Sequence, residues 1–312
     1  MARPLRITFP GAFYHITSRG NERKPVFKNR RDRIKFLEYL GTATTRYDAR
    51  IHIYCLMDNH YHLLLETPSG NLPQVMHHIN GAYTTYFNVK HHRSGHLFQG
   101  RYKSILIEED EYAKELSRYI HLNPVRAQMV SVPEDYEWSS YNQYIGKNKL
   151  EKWLFRDFVL NYFGKNRSTA QKGYKNFVNR LTGQEYDNPL KDVIGSALLG
   201  SQDFIHFITD QYLSELSLSK DLPAVRSLLP MLSMQDICRA VEKVFGDKKS
   251  MGRKVKIYLY QKYTGAKLRV IGNQFGIGES GVSQVCKRLE ARIAQDKSLS
   301  KKIKRIEKKI KL

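Results

Sequence analysis

Between Phe13 and Pro124 the hydrophobic pattern switches repeatedly between a period of two and a period near 3.6. This alternation constrains the fold more than any other feature of the chain. Phe13–Arg19 reads as a strand followed by a Gly20-Asn21 turn. Arg30–Tyr47 reads as a helix, with Ile34, Leu37, Leu40 and Ala43 recurring at threes and Phe36 four before Leu40. Ile51–Met57 and Tyr61–Glu66 read as strands joined through Asp58-Asn59, a hairpin turn or bulge. Leu72–Val89 reads as a helix with Asn71 as its N-cap, and Phe98–Glu108 as extended chain. Glu111–Asn123 reads as a third helix, ended by Pro124 because the residue before a proline is pushed out of helical geometry. Such an order predicts an α+β sandwich built on an antiparallel sheet.

Beyond this region the pattern changes. Residues 151–225 read as helical throughout, opening on Trp153, Phe155, Phe158, Tyr162 and Phe163, and carry no evident chemistry. From Ser233 the chain reads as helical again and ends in a Lys-rich tail, with no internal repeat. The expected organisation is a sheet domain over 1–147, an all-α connecting segment over 148–225, and an all-α basic domain over 226–312. Hydrophobic content of 41%, with 12% aromatic, excludes a disordered chain. Ile53–Met57 is among the longest apolar runs, far short of the roughly 18 residues a bilayer span needs. The start Met-Ala-Arg-Pro-Leu-Arg has no apolar signal core, so secretion is not expected. Cys55, Cys238 and Cys286 are odd in number and far apart, which fits buried thiols in a reducing cytoplasm.

Charge adds the partner class. Lys and Arg number 52 against 30 Asp and Glu, a formal net charge of +22. That excess suggests a polyanion, either nucleic acid or a membrane surface. It is unevenly spread: +7 over residues 1–150 (21 basic, 14 acidic), zero over 151–225 (9 and 9) and +15 over 226–312 (22 and 7). Histidine runs the other way, with ten of the eleven at or before His121. A chemical module joined to a binding module has this footprint.

In Asn59-His60-Tyr61-His62, a strand would turn His60 and His62 to one face and Tyr61 to the other. Neutral imidazoles side by side form part of a divalent-metal site that still lacks oxygen or nitrogen ligands. The bland reading of the pair is structural, and Cys55 alone makes no zinc framework. In Arg118-Tyr119-Ile120-His121-Leu122-Asn123-Pro124, Tyr119 and Asn123 are four apart and share a helical face. Asn123 can offer a carbonyl oxygen to a metal, and Tyr119 can attack phosphorus beside it, although core packing is the ordinary role of a tyrosine. His121 should face elsewhere and be structural.

Phe13-Tyr14-His15-Ile16-Thr17-Ser18-Arg19-Gly20, Asn59-His60-Tyr61-His62, Gly95-His96-Leu97-Phe98-Gln99-Gly100-Arg101-Tyr102-Lys103 and Tyr119-Ile120-His121-Leu122-Asn123-Pro124-Val125-Arg126 follow one another in a familiar order. Over about residues 4–145 the chain resembles the single-tyrosine HUH transposases of insertion sequences, and most nearly their REP-associated branch in bacteria. The resemblance implies a ferredoxin-like antiparallel sheet with helices. It implies Mg²⁺ or Mn²⁺ held by His60, His62 and Asn123, and Tyr119 as a nucleophile forming a 5′-phosphotyrosine link to single-stranded DNA. It also implies a homodimer. Many relatives carry glutamine where this chain has Asn123, and proline where it has Asp58. Because ligating imidazoles must be deprotonated, activity is expected to fall in acid. Arg19, Lys24, Arg101, Lys103 and Arg126 are candidate phosphate contacts, and Tyr14 and Tyr102 candidate stacking partners for unpaired bases.

Leu268–Gly276 followed by Ile277–Leu289 reads as a helix-turn-helix, with Gly272 allowing close approach and Gly276 taking the left-handed turn. Leu268, Ile271 and Phe275 would pack on Val282, Val285 and Leu289. Ser280, Ser283, Gln284, Lys287 and Arg288 would then face outward, a composition suited to a DNA groove. From Arg253 to about Asp296 the segment resembles the DNA-binding domain of the bacterial chromosomal replication initiator, which implies duplex binding. The tail Lys301–Leu312 places Ile303, Ile306 and Ile310 on one face, as a docked helix, a DNA-contacting arm or a membrane-surface helix, the last least favoured. Together these features predict a DNA strand transferase that needs no nucleotide cofactor and no membrane, located in the cytoplasm with the nucleoid. The rivals are a non-catalytic DNA-binding regulator that keeps the fold, and an RNA-processing protein.

Overall fold

The computed structural model describes residues 6–109, 111–184, 187–195, 197–213, 234–246, 249–264, 266 and 268–310. The chain divides into two compact units, one ending at Ile208 and the other beginning at Thr209.

In the first unit the period-two segments form strands β1 (Ala12–Arg19), β2 (Arg50–Leu56), β3 (His60–Thr67), β4 (Lys103–Ile107) and β5 (Leu198–Leu199), in sheet order β2-β3-β1-β4-β5. The first four pair antiparallel, and β5 adds to β4 in parallel. The β1–β3 register sets Arg19 opposite His60 and Thr17 opposite His62, while β4 brings Lys103 opposite Thr17. The register of β2 on β3 slips between Ile51 and Ile53, a bulge at His52.

Two long helices cover one face of the sheet. In α1 (Arg30–Tyr47) the buried row is Phe36, Leu40 and Ala43, whereas Ile34 is 41% exposed. The row of threes predicted to face the core does not all do so. At 100° per residue each step of three falls 60° short of a full turn, so spacing of four and three tracks the buried stripe better. In α2 (Leu72–Lys90) Val75, Met76, Ile79, Tyr83 and Phe87 are buried. Tyr61, on the face away from its histidine neighbours, packs on Phe36 and donates its hydroxyl to Asn80 Oδ1 at 2.6 Å. Asp32, fully buried, accepts from Lys90 Nζ at 2.7 Å and ties the start of α1 to the end of α2.

The opposite face carries α3 (Glu111–His121) and the single turn α4 (Asn123–Arg126). Residues 148–208 are not helical throughout. They hold short turns, the helix α5 (Arg167–Asn179), β5, and α6 (Gln202–Ile208), while the helix expected over 214–225 lies outside the described residues. Leu198 and Leu199, flanked by Gly200 and the positive-φ Gly195, are too short an apolar run for a helix and are buried at the sheet edge instead. This stretch completes the core. Tyr174 of α5 hydrogen-bonds His121 Nδ1 at 2.6 Å, while His121 Nε2 meets Ser140 Oγ at 2.8 Å, so His121 is a buried structural residue as predicted.

The second unit, among its described residues, is helical: α7 (Met234–Phe245), α8 (Lys249–Tyr263), α9 (Leu268–Phe275), α10 (Glu279–Gln295) and α11 (Lys297–Ile310). Ile237, Val241, Tyr260, Ile271, Val282, Leu289 and Ile303 lie in one core, with Leu268, Phe275 and Val285 packed against it. Gly276 takes φ +62°, and a Cβ on Gly272 would stand 2.4 Å from the Ile277 carbonyl, so both glycines are required by the turn between α9 and α10. The basic tail docks through Ile303, Ile306 and Ile310 as α11, which selects the first of its three readings; residues 311–312 lie outside the described residues.

Candidate active site

His60 opens β3 directly after the Met57–Asn59 connection. That connection is held in place from several sides. Gly20 N donates to Asn59 O at 2.8 Å, Val26 and Phe27 donate to Asp58 O, and the Asp58 carboxylate pairs with Arg33 at 2.5 Å. Asp58 thus anchors the hairpin to α1. Asn59 Oδ1 lies 2.7 Å from His60 Nδ1, which leaves Nε2 of that ring uncommitted to it. His62, two residues on, faces the same side, with ring centroids 5.0 Å apart. Cys55 is fully buried with its sulfur 3.7 Å from Met57 Sδ, and burial pushes its thiol well above the ordinary range.

His15 is the residue that sequence reasoning missed. Its Nε2 lies 2.9 Å from His62 Nδ1, the rings stack at 5.2 Å, and its Nδ1 is buried with no hydrogen-bond partner. The two positions are 47 residues apart in sequence. Position 15 alternates correctly with Thr17 and Arg19, but no periodicity names the partner of a strand.

Tyr119 closes the cluster from α3. Its ring lies 6.4 Å from that of His15 and 6.2 Å from that of His62, edge-on to both. The Arg126 guanidinium sits 4.8 Å over its face. Asn123, the first residue of α4, folds its amide back to donate to Tyr119 O at 3.1 Å, leaving Oδ1 as its available donor atom to a cation. Among the described residues no group of three His, Cys, Asp or Glu side chains gathers around a cation position. Two imidazoles and an amide oxygen, those of His60, His62 and Asn123, are donor types that a hard or borderline divalent ion could use.

Electrostatics keeps these rings neutral. Burial lowers the His60 ring to about 4, with Arg19 adding to the fall and Asp58 opposing it. Burial, then the neighbouring His15 and His60, hold His62 well below the ordinary imidazole range. Burial lowers His15 and His121 to about 3. A group depressed in the folded state leaves stability unchanged above its unfolded value of 6.5. As pH falls below that value only the unfolded chain takes up protons, so stability declines by up to about 1.4 kcal/mol per pH unit for each such ring. Thermal unfolding followed by circular dichroism should therefore show Tm flat above pH 7 and falling from pH 6.5 toward 4. A Tm unchanged down to pH 4 would refute the neutral buried rings. The acid loss foreseen from the sequence is then expected to follow unfolding, not ligand titration.

The basic candidates separate. By strand register Arg19 lies beside His60 and Lys103 in the row of His62, and Arg126 stands over Tyr119. Lys24 pairs with Glu22 at 2.6 Å in the turn beyond β1, where Glu22 and Arg23 both have positive φ. Arg101 lines a cavity with Tyr102 and Phe98. Tyr14 is fully buried, a core residue. In the second unit Ser280, Ser283, Gln284, Lys287 and Arg288 are all exposed on α10.

The family model described as transposase, IS200-like, matches residues 8–123, from the lead-in to β1 through Asn123. Over that span the chain is similar to the IS200-like transposases. The span includes His15, His60, His62 and Tyr119 and excludes α5, β5 and the whole second unit. A solved structure described as a REP-associated tyrosine transposase bound to a REP hairpin is 15% identical, covers 47% of this chain and 87% of its own, and superposes with a TM-score of 0.41. No curated protein matches the chain. Among the described residues no helix is long and apolar enough to cross a membrane. The histidines and the tyrosine thus lie within the span that is similar to the IS200-like transposases.

Proposed function

We propose that the chain is a divalent-metal-assisted transposase that cuts and rejoins single-stranded DNA through Tyr119. The observation that carries this reading is the meeting of Tyr119, His15 and His62 at ring separations of 6.2–6.4 Å on one face of the sheet, with Arg126 over the phenol. The Tyr119 oxygen attacks phosphorus and releases its proton. The bond from phosphorus to the 3′-oxygen breaks, and that oxygen takes up a proton as it leaves. The phosphotyrosine link conserves the phosphodiester energy, so rejoining by the reverse attack requires no ATP.

His60, His62 and Asn123 would hold Mg²⁺ or Mn²⁺. When bound, the ion polarises a non-bridging phosphate oxygen and neutralises charge that develops there. For His62 to ligate through Nε2 its proton must sit on Nδ1, and His15 Nε2, 2.9 Å from that nitrogen, is placed to accept it. Arg126, Arg19 and Lys103 supply positive charge to the incoming backbone. Incubating the full chain with end-labelled single-stranded DNA and Mn²⁺ should yield an adduct that survives SDS and disappears with EDTA. Absence of any adduct would favour the non-catalytic regulator, and equal yield on a matched RNA strand would favour the RNA reading.

We further propose that α10 holds duplex DNA through Ser280, Ser283, Gln284, Lys287 and Arg288. Each lysine or arginine on a phosphate contributes about one unit to the slope of log affinity against log salt. The double variant Lys287→Gln with Arg288→Gln in the full chain should flatten that slope by about two. An unchanged slope would remove α10 from the duplex interface.

A further inference from the structure

Within the second unit, α7, α8 and the end of α9 enclose a cavity of about 390 Å³. That lies within the range of small-ligand sites, roughly 300–1,000 Å³. Its apolar wall is Val241 and Phe245 from α7 and Phe275, the last residue of α9. Phe275 packs on the buried Tyr260, ring centroids 5.5 Å apart, and the Tyr260 hydroxyl is itself fixed on Met234 O at 2.8 Å. Gly252 of α8 lines the same space. A Cβ there would stand 3.6 Å from Phe245 Cβ and 3.9 Å from Val241 Cγ1, ordinary contact distances, so the packing of α8 on α7 does not require glycine. Glycine weakens a helix interior relative to alanine. What the missing side chain leaves is room beside the apolar wall.

The polar wall is asymmetric in charge. Glu242 is committed inside the protein, where its Oε1 accepts from Lys256 Nζ at 2.7 Å and lies 3.2 Å from Cys238 Sγ. Arg253 donates to Phe275 O, the carbonyl that ends α9, and among the described residues no carboxylate pairs with it. A guanidinium carries five N–H donors in a planar fork and keeps its charge, so most of that fork is left for an acceptor from outside the chain. Lys302 Nζ, 5.8 Å from the centroid of the Phe245 ring, adds positive charge on the same side of the balance. An apolar wall beside an uncompensated cation suits a ligand with an apolar ring at one end and a carboxylate or phosphate at the other, because arginine meets either group through two parallel hydrogen bonds. A DNA phosphate could use the arginine but gains nothing from Val241 and the two phenylalanines.

We propose that this cavity binds a small amphipathic anion, its apolar ring against Phe245 and Phe275 beside Gly252 and its carboxylate or phosphate on Arg253. The site does not depend on the strand-transfer reading, since every residue that lines it belongs to the second unit. It stands against the turn that leads into α10, because Phe275 is followed directly by Gly276 at φ +62°.

The test uses the full chain and three fluorinated probes titrated by fluorine NMR line broadening: 6-fluoro-2-naphthoate, its neutral amide, and 4-fluorophenyl phosphate. The naphthoate is expected to bind saturably and about tenfold or more tightly than the amide, the scale of a hydrogen bond to a charged group. Tighter binding of the phosphate than of the naphthoate would identify a phosphorylated ligand, and the reverse order a carboxylate. Arg253→Gln, which removes the charge but keeps most of the length, should bring the naphthoate down to the affinity of the amide. Gly252→Leu should fill the cavity and abolish binding of all three probes, with circular dichroism confirming that the helices remain. Gly252→Ala adds one methyl at ordinary contact distance and should still bind them. Equal affinity for naphthoate and amide in the wild type, undiminished binding in Gly252→Leu, or no saturable binding of either anion would overturn the site. Should no probe bind while Arg253→Gln weakens duplex DNA binding, the arginine belongs to a DNA contact and the ligand site is refuted.

Discussion

Tyr119→Phe is expected to eliminate the covalent protein–DNA adduct, lowering its yield by at least about a thousandfold. The substitution removes one oxygen and leaves the ring. The edge contacts to His15 and His62 and the Arg126 guanidinium over the ring face persist, so neither the fold nor DNA affinity should change much. That separation makes the variant informative, because loss of adduct with unchanged binding isolates the phenolic oxygen as the nucleophile. The measurement is SDS gel retention of a labelled strand in Mn²⁺ beside an anisotropy titration in EDTA. An adduct formed by the phenylalanine variant would assign the nucleophile elsewhere.

The second large effect concerns the paired histidines. His62→Ala should reduce Mn²⁺ binding by the free protein, measured by calorimetry or by the loss of free-ion EPR signal, to an undetectable level. His15→Leu should weaken it by roughly 10–100-fold, although position 15 is not among the proposed ligands. Leucine fills the buried volume but cannot accept the Nδ1 proton of His62, so the His62 ring loses both its orientation and its tautomer. His15→Gln can place an acceptor oxygen near the former Nε2 position, and recovery of most of the affinity in that variant would separate positioning from packing. Equal Mn²⁺ affinity in the wild type and His15→Leu would show that the 2.9 Å contact is only structural.

Much of this site was legible as pattern. Period two along His60-Tyr61-His62 predicted that both histidines face one side, and the rings do lie together, with Tyr61 turned to α1 and α2. Spacing of four on a helix predicted that Tyr119 and Asn123 share a face. The structure breaks the helix between them after His121, yet the Asn123 amide still reaches the Tyr119 carbonyl. The row of threes through Ile34 misled because its angular drift was ignored. The stretch 151–208 read as a bland connection because its contribution is made at long range: Tyr174 supplies a partner to His121 from 53 positions away, and Phe155 O meets His52 Nδ1 at 2.8 Å.

Local rules alone determined the main strands and helices of residues 8–123, the shared face of His60 and His62, the turn glycines of α9–α10, and the segregation of +15 of the charge into the last 87 residues. Each depends on neighbours within a few positions, or on counting, and the chain states these directly. Only tertiary structure decided that His15 meets His62, that Arg126 covers Tyr119, that Arg101 lines a cavity with Tyr102 and Phe98, and that α5 completes the core. Those pairings depend on which strand lies beside which and in what register, and one residue of slip would turn every side chain to the opposite face.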